Sequence, residues 1–166
     1  MTTLPNLKPD WHFICSHPAY FLAFGFGSGL ARKAPGTWGT LAAYPLFGLW
    51  QYSIGYPPGL ALLCIPLFII GIWVCEMTGH SLGVHDHGGI VFDEIVSMLL
   101  ILALSPHMPI FWLSAFVLFR LFDIVKPWPI RWLDQRMAGG LGVMIDDLVA
   151  ALFVLPIQWG IVFWLY

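Results

Sequence analysis

The chain has 166 residues, 59% of them hydrophobic and only 10% charged, with a formal net charge of −2. A soluble domain carries about 25% charged residues, so this composition excludes an ordinary soluble protein and indicates an integral membrane protein of single-domain size. Seven Lys and Arg are too few for a nucleic-acid surface, and three Cys, an odd number, do not make a disulfide framework.

Residues 1–17 are polar and Pro-containing, without the basic start and apolar core of a signal peptide, and a loose cytoplasmic N-terminus is expected. Residues 18–30 are aromatic and glycine-rich but too short to cross a bilayer, which takes about 20 apolar residues. They read as an interfacial or re-entrant segment. Gly25 and Gly29 are spaced as small residues are at helix contacts. No strand precedes this glycine run, so helix packing is favoured over a phosphate loop.

A basic turn containing Arg32, Lys33, Pro35 and Gly36 opens the first span, residues 37–56, with Thr37 or Thr40 as N-cap and a bend at Pro45. A Pro-Pro-Gly turn precedes the second span, residues 60–77, and a polar loop follows over residues 78–89. The third span covers residues 90–104 and the fourth residues 110–125. Trp128 and Trp132 are interface anchors in the next loop. Gly139, Gly140 and Gly142 read as a flexible joint before the last span, residues 143–166. The expected fold is all-α, a polytopic membrane helix bundle of about five embedded segments with short loops, forming one domain over residues 1–166.

Five spans fix a parity. Lys8, Arg32, Lys33, Lys126, Arg131 and Arg136 all fall in loops on one side, and Arg120 lies in the fourth span near that same end. The excess of basic residues marks that side as cytoplasmic. The acids follow the same geometry. Asp93 and Glu94 begin the third span, Asp123 sits near the end of the fourth, and Asp146 and Asp147 begin the fifth. Three helix ends thus bring five carboxylates to one depth, where a membrane-embedded acid needs a compensating cation.

Carboxylates without Cys suit a hard cation, and Mg²⁺ is held by a few carboxylates plus water and substrate phosphate. Arg120 and Asp123 share a helix face, with Lys126 three residues on. Arg120, Lys126, Arg131, Arg32 and Lys33 can clamp an anion beside the metal, and Thr37 stands next to that clamp. Acids for metal and bases for phosphate at a membrane surface describe phosphoryl chemistry on a lipid headgroup. His85 and Asp86, in the loop leading to Asp93, are supporting candidates.

Other readings exist for each part. Asp146 and Asp147 can simply complement a helix N-terminus, and Arg120 with Asp123 can be a structural ion pair. Asp134 reads as a solvated partner of Arg131 and stays outside the candidate site. Glu76 can snorkel or pair. His85 and His87 lack a third ligand for Zn²⁺. The alternative of another class is a cation or proton transporter with intramembrane acids, although these acids sit at one surface.

At these residues the sequence resembles the phosphatidylglycerophosphatase A family of bacterial inner-membrane lipid phosphatases. The matching stretches are residues 25–40 (GFGSGLARKAPGTWGT), 83–94 (GVHDHGGIVFDE), 119–134 (FRLFDIVKPWPIRWLD) and 139–147 (GGLGVMIDD). The resemblance implies Mg²⁺-dependent conversion of phosphatidylglycerophosphate to phosphatidylglycerol. It carries metal or catalytic roles onto Asp93, Glu94, Asp123, Asp146 and Asp147, and supporting roles onto Lys126 and Arg120. The Asp-Gly-x₂-Ala-Arg signature of the CDP-alcohol phosphotransferases, the enzyme alternative, is missing. So are the signatures of type 2 phosphatidic acid phosphatases and haloacid dehalogenase phosphatases.

Overall fold

The computed structural model describes residues 9–165, and all regular structure among them is helical. The elements in order are α1 (Trp11–Cys15), α2 (Pro18–Ala23), a 3₁₀ segment (Gly25–Leu30), α3 (Pro35–Ser53), α4 (Pro57–Leu82), α5 (Phe92–Leu104), α6 (Pro109–Val125), α7 (Ile130–Arg136) and α8 (Gly139–Leu165). Among the described residues two helical stretches are long and apolar enough to cross a membrane, Pro57–Leu82 and Gly139–Trp164.

The other long helices differ from simple spans. α5 has 13 residues, a length of about 20 Å against a hydrocarbon core of roughly 30 Å. Every residue of α5 except Leu100 and Leu104 is buried, so its apolar character serves burial inside the protein. It packs against α3, α4, α6 and α8 and forms the centre of the bundle. α6 has 17 residues.

The chain before α3 is more ordered than its composition suggests. The expected loose segment forms α1, where the Asp10 carboxylate accepts a hydrogen bond from the Phe13 N–H at 2.8 Å; residues 1–8 lie outside the described residues. Residues 18–30 form α2 and the 3₁₀ segment, with Ala19, Ala23, Phe24, Gly25 and Gly29 buried against the loop before α5. The Val91 N–H donates to the Ala23 carbonyl at 2.8 Å. A Cβ on Gly29 would lie 2.0 Å from the Gly89 carbonyl oxygen. The glycines therefore permit close packing, as expected, although through a 3₁₀ turn instead of an α-helix.

The glycines at residues 139–142 are not a flexible joint. α8 starts at Gly139, and a Cβ on Gly140 would sit 1.8 Å from the Ile72 carbonyl oxygen of α4. Only glycine lets the two helices cross this closely. Glu76 of α4 fixes the crossing, its carboxylate accepting from the Gly140 N–H, while the His85 ring accepts from the Gly139 N–H. Two of the N–H groups that a helix N-terminus leaves free are thereby satisfied.

Candidate active site

The site forms where α5, α6 and α8 meet. Asp93 and Glu94 occupy the first turn of α5, and Asp147 lies two turns into α8. Oxygens of Asp93, Glu94 and Asp147 fall within 4.8 Å of one another. All three residues are at least nine-tenths buried, with exposures of 8%, 9% and 3%. Asp93 Oδ1, Glu94 Oε2 and Asp147 Oδ2 are buried without a hydrogen-bond partner. Three buried oxygen donors, with no sulfur or imidazole among them, match the needs of Mg²⁺.

Arg120 closes one side. Its Nη1 lies 2.5 Å from Asp123 Oδ2 and 3.7 Å from Glu94 Oε1. The sequence expectation that Arg120 and Asp123 share a face therefore holds, and the pair is joined to the acidic cluster instead of standing apart. Arg120 Nε also lacks a partner. The first turn of α3 covers this region: a Cβ on Gly36 would lie 2.2 Å from Glu94 Oε1 and 3.0 Å from Arg120 Nη1. Neither Thr37 nor Thr40 caps α3. The N-cap is Ala34, in the left-handed region at φ 48°, and Thr40 Oγ1 donates to the Gly36 carbonyl at 2.8 Å. Thr37 is half-buried in that first turn, and Arg32 and Lys33 are exposed just before it.

Lys126 departs from the expected geometry. α6 ends at Val125, and Lys126 turns into the left-handed region at φ 45°. Its ammonium does not continue the Arg120–Asp123 face. It donates to Asp146 Oδ2 at 2.5 Å and to Asp134 Oδ1 at 2.6 Å. Burial works against its charge, but the hydrogen bonds to Asp134 and Asp146 outweigh it and hold the Lys126 pKa above the usual lysine range. Asp134, assigned by sequence to Arg131, belongs instead to Lys126. The i, i+3 spacing to Arg131 concealed this pairing, which depends on the turn after α6.

Asp146 thus stands one step away from the Asp93–Glu94–Asp147 cluster. It faces a small cavity of about 130 Å³ that His85, Asp86 and Asp134 also line. Arg131 is exposed on α7 and borders an open cleft with Lys126, Trp128 and Trp132. His85 and His87 use a ring nitrogen each on backbone N–H groups, of Gly139 and Gly89 respectively. Sequence reasoning missed the capping role of Glu76, whose position near a helix end gave no sign that a second helix starts against it.

Acids able to hold a hard cation, beside a guanidinium able to meet an anion, are the parts of a site for phosphoryl chemistry. Comparison with known proteins agrees. The family described as Phosphatidylglycerophosphatase A matches residues 21–162. A Haemophilus influenzae protein named phosphatidylglycerophosphatase A is 43% identical over 150 residues, covering 90% of this chain and 91% of the relative. An Escherichia coli protein of the same name is 46% identical over 154 residues, covering 90% and 88%. No solved structure matches. The chain belongs to the phosphatidylglycerophosphatase A family, and with it to the phosphoric monoester hydrolases. That membership decides against the transporter and the CDP-alcohol phosphotransferase.

Proposed function

We propose that this enzyme hydrolyses the terminal phosphate monoester of phosphatidylglycerophosphate, leaving phosphatidylglycerol and phosphate, with Mg²⁺ as cofactor at the cytoplasmic face of the bacterial inner membrane. The observation that carries the reading is the buried cluster of Asp93, Glu94 and Asp147, each with an oxygen left unpartnered. The substrate follows from the names of the relatives.

In this reading Asp93, Glu94 and Asp147 hold Mg²⁺, with Asp123 beside them. When bound, the ion polarises phosphoryl oxygens and offsets charge that builds up in displacement. Arg120, oriented by Asp123 and Glu94, donates hydrogen bonds to the transferring phosphoryl group. The first turn of α3, with Thr37 and the preceding Arg32 and Lys33, adds positive potential at a helix N-terminus. Lys126 holds Asp146 in place and, with Arg131, faces the lipid's second phosphate at the rim. His85 and Asp86 support the mouth.

The proposed topology is one membrane-embedded domain with five embedded segments, α3, α4, α5, α6 and α8, and with the acidic ends inside. Phosphate release from phosphatidylglycerophosphate in liposomes tests the reaction. Release with Mg²⁺ that stops under chelator is expected; undiminished release under chelator overturns the cofactor, and none under either condition overturns the substrate. For topology, cysteines at Pro58 and Pro106 should react with an impermeant reagent outside sealed cells, while those at Gly88 and Ala138 should not.

A further inference from the structure

We propose that the apolar groove between α4, α5 and α8 seats one acyl chain of the lipid substrate, an inference that rests on the lipid-phosphatase reading above. The groove follows from the way the helices cross. α4 and α8 touch at Ile72 and Gly140, and again where Met144 meets Gly71. Beyond that crossing, toward Ala61, α5 forms the floor between them. The resulting space of about 230 Å³ is lined by Ala61, Cys64, Phe68, Val96, Leu100 and Leu148, with Ile65 and Ile69 on its outer edge.

Two features tie this groove to the site. Val96 and Leu100 follow Asp93 at i+3 and i+7, so the face of α5 that carries the acid continues as the groove floor. The floor begins about 4.5 Å below Asp93 along the helix. Leu148, on the α8 wall, directly follows Asp147. Headgroup chemistry and groove are therefore stacked in the order a phospholipid presents them, phosphate at the helix ends and tail one turn deeper.

The groove also reaches further in than a lipid-facing surface. Cys64 on its wall and Val96 on its floor are only 4% and 2% exposed, whereas Ile65 and Ile69 at its edge are 59% and 63% exposed. A second apolar groove, lined by Leu46, Trp50, Leu63 and Leu99, provides a contrast. It overlaps the first in depth, taking Leu60, Leu63 and Leu67 from another face of α4, but it is completed by the end of α3 and takes no lining residue from α8. It has the same chemistry without the connection through Val96 and Leu148 to Asp93 and Asp147.

A lipid tail gains little transfer energy on leaving the bilayer for such a groove, since lipid is as apolar as leucine. What the groove supplies is position, fixing one chain so that the headgroup stays over the acids. Chain-dependent turnover is the consequence.

The test uses the full-length enzyme in mixed micelles with dipalmitoyl and dihexanoyl phosphatidylglycerophosphate. Ala61→Trp, which fills the deep end of the groove, should lower kcat/KM for the dipalmitoyl substrate about tenfold while leaving the dihexanoyl substrate within about twofold. Leu63→Trp, in the second groove, should leave the ratio unchanged. Independently of any variant, a substrate with a photoreactive acyl chain should label wild-type α4 at Ala61, Cys64 or Phe68 and not at Leu60, Leu63 or Leu67. Unlabelled substrate should suppress the labelling far better than phosphatidylcholine. Equal suppression by both lipids identifies ordinary annular lipid and overturns the proposal, as does an Ala61→Trp effect indifferent to chain length. Failure of wild-type enzyme to hydrolyse either substrate would instead overturn the reading of function.

Discussion

The two ends of the helix bundle treat buried polar groups in opposite ways. At the end remote from the acids, Gln158 of α8 is fully buried, yet its amide donates to the Phe111 carbonyl at 2.7 Å and to Ser114 Oγ at 3.1 Å. Its carbonyl accepts from Ser105 Oγ. At the acidic end, Asp93, Glu94, Arg120, Asp146 and Asp147 each keep a buried atom with no partner; at the remote end, among the described residues, the neutral Trp112 Nε1 beside Phe111 is the one exception. An unsatisfied buried polar group costs about 1–3 kcal/mol, more when charged. A neutral network that closes on itself holds helices together. A charged cluster needs counter-charge that these helices supply only in part, through Arg120 and Lys126, and in the proposed reading that difference separates scaffold from site.

The largest effect expected from this contrast is at the open cluster. Asp93→Asn and Asp147→Asn each preserve shape and remove charge, and each should lower turnover by at least about a hundredfold. Neither should reduce thermal stability in the presence of chelator, because each relieves repulsion between buried acids. If Mg²⁺ is the cofactor, its binding to the folded wild-type protein should raise Tm, and that rise should disappear in both variants. Normal turnover in both variants would move the chemistry elsewhere.

A smaller effect is expected one step out. Lys126→Ala should reduce activity about tenfold, roughly the loss of one charge-assisted contact, and should raise the Mg²⁺ concentration needed for half-maximal activity. The shift follows because Asp146, next to Asp147, loses its ammonium partner. A Lys126 that served only substrate phosphate would change KM and leave the Mg²⁺ titration where it was. Arg120→Lys should fall between these cases, since in the proposed reading one ammonium would have to serve the two acids and the phosphate that a guanidinium can meet together.

Much of this was legible in the chain. Charges confined to certain helix ends pointed to one place in the bundle, and three of the acids do converge there. What could not be read were features set by partners distant in sequence. The run after Ile90 is apolar because α5 is enclosed by α3, α4, α6 and α8, and a buried helix and a membrane span share one composition. Gly140 looks like a hinge until the Ile72 carbonyl lies against it. Asp134 looks paired with Arg131 until the left-handed turn at Lys126 swings the ammonium over it. Gln158 carried no signal among the apolar residues of α8.

That silent glutamine yields the smallest expected effect on chemistry and the sharpest test of the comparison. Gln158→Leu keeps approximate volume and removes both halves of the amide. Ser105 Oγ then loses its acceptor, while Ser114 Oγ and the Phe111 carbonyl keep their bond to each other. Leaving the Ser105 hydroxyl buried without its acceptor should cost about 1–3 kcal/mol of stability, read as a lower Tm in detergent. The acids lie at the opposite end of α8, and Asp147 is eleven residues, about 16 Å, away along the helix. Turnover per folded molecule should therefore stay within about twofold, by the independence of distant sites. The pattern is the inverse of the Asp93→Asn pattern, with stability lost and chemistry kept. A large fall in turnover at unchanged Tm would show that the neutral network serves the reaction, and the division between scaffold and site would no longer hold.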